Sequence, residues 1–325
     1  MRFFIKHLSL ILALAALVAL ASCGTVEETA AVTDDTEAPV IEPTPSPYEV
    51  HGIEEARLLS GVNCTYALLC EADGLKAVAS KRSSELMYPA SMTKVMTFIV
   101  AYENAPSLED KTAITKEMKN KYAGASRIGI DVGDILTTEQ LLYALILESD
   151  TDAALALAEY VAGSEEAFVE LMNAKCDELG LTSTRFANAT GLHDDGHYTT
   201  AAEMAAIFAY ALDIPLFKQI VTTETYVTYL DYYKDGELKS YRMTFQNTTI
   251  SPVKGRFAQN KMSLTFGDGG AIIGGKTGYT DEAKYCLALL VRGSDGKEYI
   301  LITARASTAR DNAGDCLYVC RNYVN

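Results

Sequence analysis

Three short stretches hold residues whose types and spacing could do chemistry. In the first, Pro89-Ala90-Ser91-Met92-Thr93-Lys94, a serine stands three residues before a lysine, at the head of an apolar run over 95–100. If that run is helical, positions i and i+3 share a face about one turn apart, and the amine can reach the hydroxyl. A serine hydroxyl is a weak nucleophile until a base takes its proton. A lysine can be that base when burial or a nearby cation lowers its pKa. The second stretch, Ser149-Asp150-Thr151, falls on a break between two helical patterns. The third, Lys276-Thr277-Gly278, follows Gly274-Gly275 and precedes a strand pattern. Taken singly, S-x-x-K is also what a serine near a helix start and a surface lysine would give. The order of all three, each on a suitable local element, is far more specific.

The elements that must position these stretches can be read from periodicity and turn residues. Residues 65–70 and 75–79 read as a hairpin around Asp73-Gly74. The serine helix follows, and 105–136 reads as loops with short strands. Residues 137–147 carry an apolar stripe of Leu141, Leu142, Leu145 and Ile146, with Thr137 or Thr138 as cap. Asp152 is expected to head a helix over 153–161, and further helices are expected over 165–179, ending at Gly180, and over 201–212. Strand character returns at 225–229, 240–245, 285–292 and 298–305, and a helix over 311–324 ends the sequence. This order predicts an α+β fold: an antiparallel sheet flanked by helices, with an inserted all-α subdomain at about 105–212.

With 49% hydrophobic and 22% charged residues in 325, the balance is that of a globular protein. A formal net charge of -15 argues against nucleic acid as a partner, because phosphate binding needs a basic face. Arg2 and Lys6 precede an apolar run over 8–20 that is short for a bilayer span, and the run ends Leu20-Ala21-Ser22-Cys23-Gly24. This resembles a bacterial lipoprotein signal, in which cysteine becomes the lipidated first residue; an ordinary secretory signal is the alternative. Residues 23–48, rich in Thr, Glu, Ala and Pro, read as a solvated tether before a domain over 49–325. Six further cysteines, Cys64, Cys70, Cys176, Cys286, Cys316 and Cys320, allow either disulfides or small buried thiols. No C-x-x-C pair suggests zinc, and His193 and His197 on a polar loop lack a third ligand.

The set S-x-x-K, S-D-x, K-T-G is shared by penicillin-binding proteins and class A β-lactamases. Over residues 50–325 the chain resembles the serine-type D-alanyl-D-alanine carboxypeptidases, low-molecular-mass penicillin-binding proteins of the β-lactamase/transpeptidase-like fold. The likeness extends to Phe168-Val169-Glu170-Leu171-Met172-Asn173, Asn188-Ala189-Thr190-Gly191-Leu192-His193-Asp194 and the stretch from Gly275 to Ala283. The resemblance implies Ser91 as nucleophile on the terminal D-Ala-D-Ala bond of peptidoglycan stem peptides, Lys94 as general base and Ser149 as proton relay. It implies Lys276 and Thr277 as binders of the substrate carboxylate, with Lys276 also holding down the pKa of Lys94. Gly278 lets a strand edge approach, and the backbone N–H groups of Ser91 and Tyr279 form an oxyanion hole. β-Lactams would acylate the same serine, and no metal or organic cofactor is implied. Two departures stand out. Thr151 occupies a place where the family usually has asparagine, and the sequence ends at Asn325 where many relatives continue into a β-rich domain and a membrane helix. Lipidation of Cys23 would replace that anchor. A class A β-lactamase is a competing reading, but it needs a Glu-x-x-Leu-Asn stretch that 152–200 lacks. A catalytically degenerate, wall-binding lipoprotein is another, resting on Thr151.

Overall fold

The structure is a computed structural model and describes residues 46–122 and 125–324. The expected signal segment, Cys23 and nearly all of the expected tether lie outside the described residues. The strands are β1 (Arg57–Leu58), β2 (Tyr66–Glu71), β3 (Ala77–Lys81), β4 (Lys111–Ala113), β5 (Asp134–Thr137), β6 (Thr225–Lys234), β7 (Glu237–Gln246), β8 (Thr265–Phe266), β9 (Gly270–Thr280), β10 (Lys284–Arg292) and β11 (Glu298–Ala306). The helices are α1 (Lys94–Asn104), α2 (Lys116–Lys121), α3 (Thr138–Leu147), α4 (Thr151–Ala162), α5 (Glu165–Glu178), α6 (Ala201–Leu212), α7 (Pro215–Val221), α8 (Arg256–Gln259) and α9 (Ala309–Tyr323).

The main sheet has the order β1-β3-β2-β11-β10-β9-β8 and is antiparallel except at the β1–β3 edge. Its central strands are apolar on both faces, which is the pattern of a sheet covered on both sides. Because side chains alternate, each strand feeds two cores. Leu68, Ile300, Ile302, Ala288 and Leu290 join the core shared with α1, α3, α4 and α6. Ala67, Leu69, Leu301, Leu287 and Leu289 join a smaller core with Cys316, Leu317 and Cys320 of α9. All six cysteines among the described residues are buried, unpaired thiols. Burial holds the Cys70 thiol up at about 12 and that of Cys286 at about 11.

Caps set the helix boundaries. Thr137 accepts from Gln140 N at 3.1 Å while Gln140 Oε1 accepts from Thr137 N at 2.9 Å, a reciprocal box that starts α3. Thr200 starts α6 by accepting from Glu203 N. For α4 the cap is Asp150, which accepts from Ala153 N at 2.8 Å, so Thr151 is the first helical residue. The sequence reading placed the start at Asp152. That carboxylate is instead fully buried between Lys119 (2.7 Å) and Arg127 (2.9 Å). A competing acid two residues from the true cap hid the boundary.

A second, four-stranded sheet, β4-β5-β6-β7, borders the helical block. Its long β6–β7 hairpin turns at Asp235 and Gly236, both at positive φ, the combination that matches strand twist in a two-residue turn. After β7 the chain passes through Asn247 and Thr248 to α8, and this return places Thr248 beside β9.

Candidate active site

Ser91 lies on a 3₁₀ turn, Ala90–Thr93, that leads directly into α1. Ala90 adopts φ 49°, a left-handed conformation unusual for a residue with a Cβ. Strain of this kind persists only where surrounding contacts over-determine it. Here one contact comes from Gly278 on β9. A Cβ there would stand 3.1 Å from Pro89 O and 3.3 Å from Ser91 N, so glycine lets the strand press against the turn. The neighbour on the other side of β9 is the two-residue β8, which pairs only with Gly270 and Ala271, so Lys276 to Tyr279 form a free edge.

Lys94, the first residue of α1, is fully buried, with Nζ 3.3 Å from Ser91 Oγ. A second contact is shorter: Nζ donates to Thr190 O at 2.6 Å. Burial lowers the amine from its ordinary 10.5 to about 8, against the pull of the Asp150 and Glu165 carboxylates. The sequence reading expected Lys276 to push Lys94 down. The structure places that effect on Lys276, which is lowered well below its ordinary value by burial first and then by Lys94 and Arg256.

The carbonyl that holds Lys94 belongs to a loop organised chiefly by the side chain of Asn188. Asn188 Oδ1 accepts from Thr190 N (3.1 Å), Thr190 Oγ1 (2.9 Å) and Gly191 N (2.8 Å), while its Nδ2 donates to Leu192 O (2.9 Å). Glu165 anchors the same loop by accepting from Ala189 N at 2.9 Å. Asn173 of α5 pins the segment before it, exchanging two 2.9 Å bonds with the Phe186 backbone. His197 is a buried strut here. Its Nδ1 accepts from Ala187 N, so Nε2 carries the proton toward Thr93 Oγ1 at 2.7 Å, and burial lowers its pKa to about 4.

Ser149 sits between α3 and α4 at φ 59°, a second strained non-glycine position. Its Oγ accepts from Lys276 Nζ at 2.9 Å, and Lys276 also donates to Thr277 O at 2.8 Å. Lys276 is completely buried beneath the cleft, whereas Ser91, Ser149, Thr151, Thr277, Gly278 and Tyr279 line it. The cleft has a volume of about 340 Å³. Thr151 N donates to Ser126 O at 3.0 Å, and Asp150 Oδ2 accepts from Ile128 N at 2.9 Å. Together they tie the loop that carries Ser126 to the cleft wall. Burial raises the Asp150 carboxyl to about 6, against its two backbone donors.

Thr248 and Arg256 also line the cleft, and the sequence analysis singled out neither. Thr248 Oγ1 lies 2.9 Å from Thr277 Oγ1, and Arg256 of α8 lines the cleft while its Nη1 donates to Asn312 Oδ1 at 2.9 Å. Arg256 also lies over the Tyr285 ring, 5.1 Å from its centroid. Neither belongs to a motif. Only their return to β9 through the segment after β7 brings them into place. The arrangement has a hydroxyl with a buried amine beside it, a second serine held by a second buried lysine, and a hydroxyl pair with an arginine at one end. That set can take a proton from Ser91, pass one onward and hold an anion.

Comparison with known proteins is consistent with this geometry. Residues 54–306 match the peptidase S11 family, described as D-alanyl-D-alanine carboxypeptidase. D-alanyl-D-alanine carboxypeptidase DacF of Bacillus subtilis is 32% identical over 251 residues, 76% of this chain and 59% of that protein. The D-alanyl-D-alanine carboxypeptidase of Streptomyces sp. K15 is 32% identical over 72% of this chain and 76% of its own length. A crystallised serine-to-alanine mutant of the Streptomyces K15 DD-transpeptidase superposes with a TM-score of 0.71 at 25% identity, covering 81% of this chain and 97% of that one. The chain thus spans about 59% of the Bacillus protein's length. By its matched residues, its fold and its three motifs, the chain belongs to the D-alanyl-D-alanine carboxypeptidase family, peptidase S11.

Proposed function

We propose that this chain is a serine-type, penicillin-binding D-alanyl-D-alanine carboxypeptidase that removes the terminal D-alanine of peptidoglycan stem peptides through an acyl-enzyme on Ser91. The observation that carries the reading is the environment of Lys94. Its amine loses its proton at about 8, lies 3.3 Å from Ser91 Oγ, and is held by Thr190 O at 2.6 Å. A neutral amine has one lone pair. With an N–H committed to the Thr190 carbonyl, the lone pair is free to face the serine hydroxyl.

In the proposed reaction Ser91 Oγ attacks the scissile carbonyl as Lys94 takes its proton. The backbone N–H groups of Ser91 and Tyr279 receive the oxyanion, such donors being worth about 3 kcal/mol each in the transition state. Ser149, whose oxygen already accepts from Lys276, relays the proton from Lys94 to the nitrogen of the departing D-alanine. Water then attacks the ester carbonyl and restores Ser91. The substrate carboxylate meets Thr277, its partner Thr248 and Arg256, with Lys276 acting from behind through Ser149. A β-lactam enters the same route at Ser91.

The test is acylation of the chain by a fluorescent penicillin, with Ser91→Ala as control. A stable adduct lost in the variant, together with D-alanine release from a D-Ala-D-Ala peptide, is the expected result. Rapid turnover of the adduct would indicate a β-lactamase, and no adduct in folded protein would indicate a degenerate binding lipoprotein.

Thr151 is expected to limit the rate. Asparagine offers an amide donor and acceptor on a longer arm, and threonine only a short hydroxyl. Thr151→Asn should raise turnover and acylation by about tenfold, the worth of one hydrogen bond made in the transition state. Unchanged rates would show that the family's usual amide has no role in this cleft.

For residues 1–48 we propose export, lipidation of Cys23 and a tether that holds the domain outside the cell membrane. The support is the charged start, the short apolar run and the cysteine directly after it. Labelled palmitate should enter the wild-type chain and not Cys23→Ala, which should leave the membrane fraction. Equal membrane retention of the two would remove the lipid anchor.

A further inference from the structure

Lys94 reaches Ser91 on a flexible four-carbon stem, so the carbonyl of Thr190 decides which way its lone pair points. That carbonyl belongs to the loop over 186–191, and the serine turn and the start of α1 hold this loop at three points. Lys94 Nζ donates to Thr190 O at 2.6 Å, and Thr97 Oγ1 donates to Ala189 O at 2.7 Å. At the third point Thr93 Oγ1 lies 2.7 Å from His197 Nε2, and His197 Nδ1 accepts from Ala187 N at 3.2 Å. This third tie runs through a side chain that does not line the cleft. We propose that His197 is a positioning residue for the acylation step: it fixes the Thr190 loop against the serine turn and so sets the direction from which Lys94 faces Ser91. This inference rests on the DD-carboxypeptidase reading, in which Lys94 is the base.

The ring is held in one tautomer and one place. A backbone N–H can only donate, so Nδ1 is the acceptor and the proton sits on Nε2, aimed at Thr93 Oγ1. The imidazole is buried and stands edge-on to Phe186, 5.3 Å between centroids, which leaves it no room to turn. The backbone beside it is pinned on both sides. Tyr198 exchanges hydrogen bonds of 3.0 Å and 2.9 Å with Arg185, on the chain that enters the Thr190 loop. Thr199 exchanges bonds of 2.7 Å and 2.9 Å with Met87, on the chain that enters the serine turn. The 197–199 strip therefore joins the two approaches, and His197 carries that join inward to Thr93, the residue before Lys94.

The role needs one donor and one acceptor on a rigid side chain, which packing alone does not supply. Without the tie from Thr93 through His197 to Ala187, the loop can pivot about the bond from Thr97 to Ala189. That pivot moves the Thr190 carbonyl relative to α1 and turns Nζ away from Ser91 Oγ. The two atoms are 3.3 Å apart, already at the long end of a hydrogen bond, so a small movement breaks the contact. His197 does not border the space where substrate sits, so its loss falls on the rate of the bond-forming step and not on binding.

The experiment follows acylation of the whole chain by a fluorescent penicillin over a range of concentrations, which separates the dissociation constant of the first complex from the rate constant of acylation. The proteins are wild type, His197→Leu, His197→Gln, Thr93→Val and the double variant of His197→Leu with Thr93→Val. His197→Leu and Thr93→Val should each lower the rate constant by about ten- to a hundredfold, the size of a small misplacement of a reacting group, with the dissociation constant unchanged. The double variant should be no slower than His197→Leu alone, because both changes break the same tie. His197→Gln should recover most of the rate, since an amide carries an acceptor oxygen and a donor nitrogen side by side, as the imidazole does. Wild-type rates in the Thr93→Val protein, losses that add in the double variant, a loss that Gln shares with Leu, or a loss confined to the dissociation constant would each overturn the positioning role. Thr93→Val keeps the shape of its side chain, so it tests the role even where His197→Leu does not fold. An adduct on wild type with none of these differences refutes the positioning role alone, whereas no adduct on folded wild type refutes the DD-carboxypeptidase reading and the positioning role with it.

Discussion

Acylation of Ser91 by a penicillin is expected to rise with pH, about tenfold per unit on the acid side, and to level off above about pH 8; Lys94→Met should lower the plateau by about 10³-fold. The sign follows from the direction of the shift. Burial makes the charged amine unfavourable, so Lys94 gives up its proton at about 8 instead of 10.5 and is a free base above that value. Folding stability shifts in the same direction, in a higher pH window. Between about 8 and 10.5 the unfolded chain binds the proton that the folded chain does not, so the Lys94 contribution to stability improves as pH rises through that window. Below it, the burial costs on the order of 3 kcal/mol. Methionine removes this cost and leaves the Thr190 carbonyl without its donor, a loss of about 1–3 kcal/mol. The two nearly offset, so the variant should melt within a few degrees of wild type while losing acylation. A folded Lys94→Met protein that acylates within tenfold of wild type would take the general-base role away from this residue.

The chemistry was more legible in the sequence than the geometry that tunes it. Ser91 and Lys94 are a local pair, and i, i+3 spacing at a helix start brings their atoms together whatever the rest of the chain does. The 201–212 helix was legible to the residue because Thr200, Glu203 and a continuous apolar run all agree. Disagreement among local signals blurred other boundaries. Asp150 and Asp152 both look like caps, and only the tertiary pairing of Asp152 with Lys119 and Arg127 decides between them. Short strands such as β4, with three residues, carry no periodicity of their own and exist because β5 pairs with them.

Within the site the missing information was contact between distant segments. The sequence shows a lysine before Thr277 and suggests a carboxylate binder; the fold buries it against Ser149, more than a hundred residues away. The cleft wall instead carries Arg256, on a four-residue helix that no pattern marks, and the proposed reaction gives it a share in binding the carboxylate. Asn188 could have been suspected, since an asparagine just before Ala-Thr-Gly suits a turn held by its own side chain. That this turn aims the Thr190 carbonyl at Lys94 is visible only once the loop and α1 are packed together.

The same loop sets the second large expectation: Gly191→Ala should lower acylation by about 10²-fold or more and destabilise the protein by about 2–4 kcal/mol. Gly191 has φ 80°, so any side chain there is strained, but strain alone is the smaller part. A Cβ at this position would stand 2.1 Å from Ala90 O and 2.9 Å from Ser91 N. Relief requires the loop to withdraw or the serine turn to move, and that turn is already strained at Ala90 and pressed from the other side by Gly278. Withdrawal of the loop would carry Thr190 O away from Lys94, and movement of the turn would displace Ser91 and the N–H it offers to the oxyanion. Either route misplaces a reacting group by a fraction of an ångström to an ångström, enough to cost two orders of magnitude. Gly163 provides the matched control. It has a similar φ of 76° after α4, yet an added Cβ would meet nothing within 4 Å. Gly163→Ala should therefore lose about 1 kcal/mol from the left-handed backbone alone and acylate as wild type does. If the two alanine variants lost acylation to the same degree, contact between the loop and the serine turn would not be what organises this site.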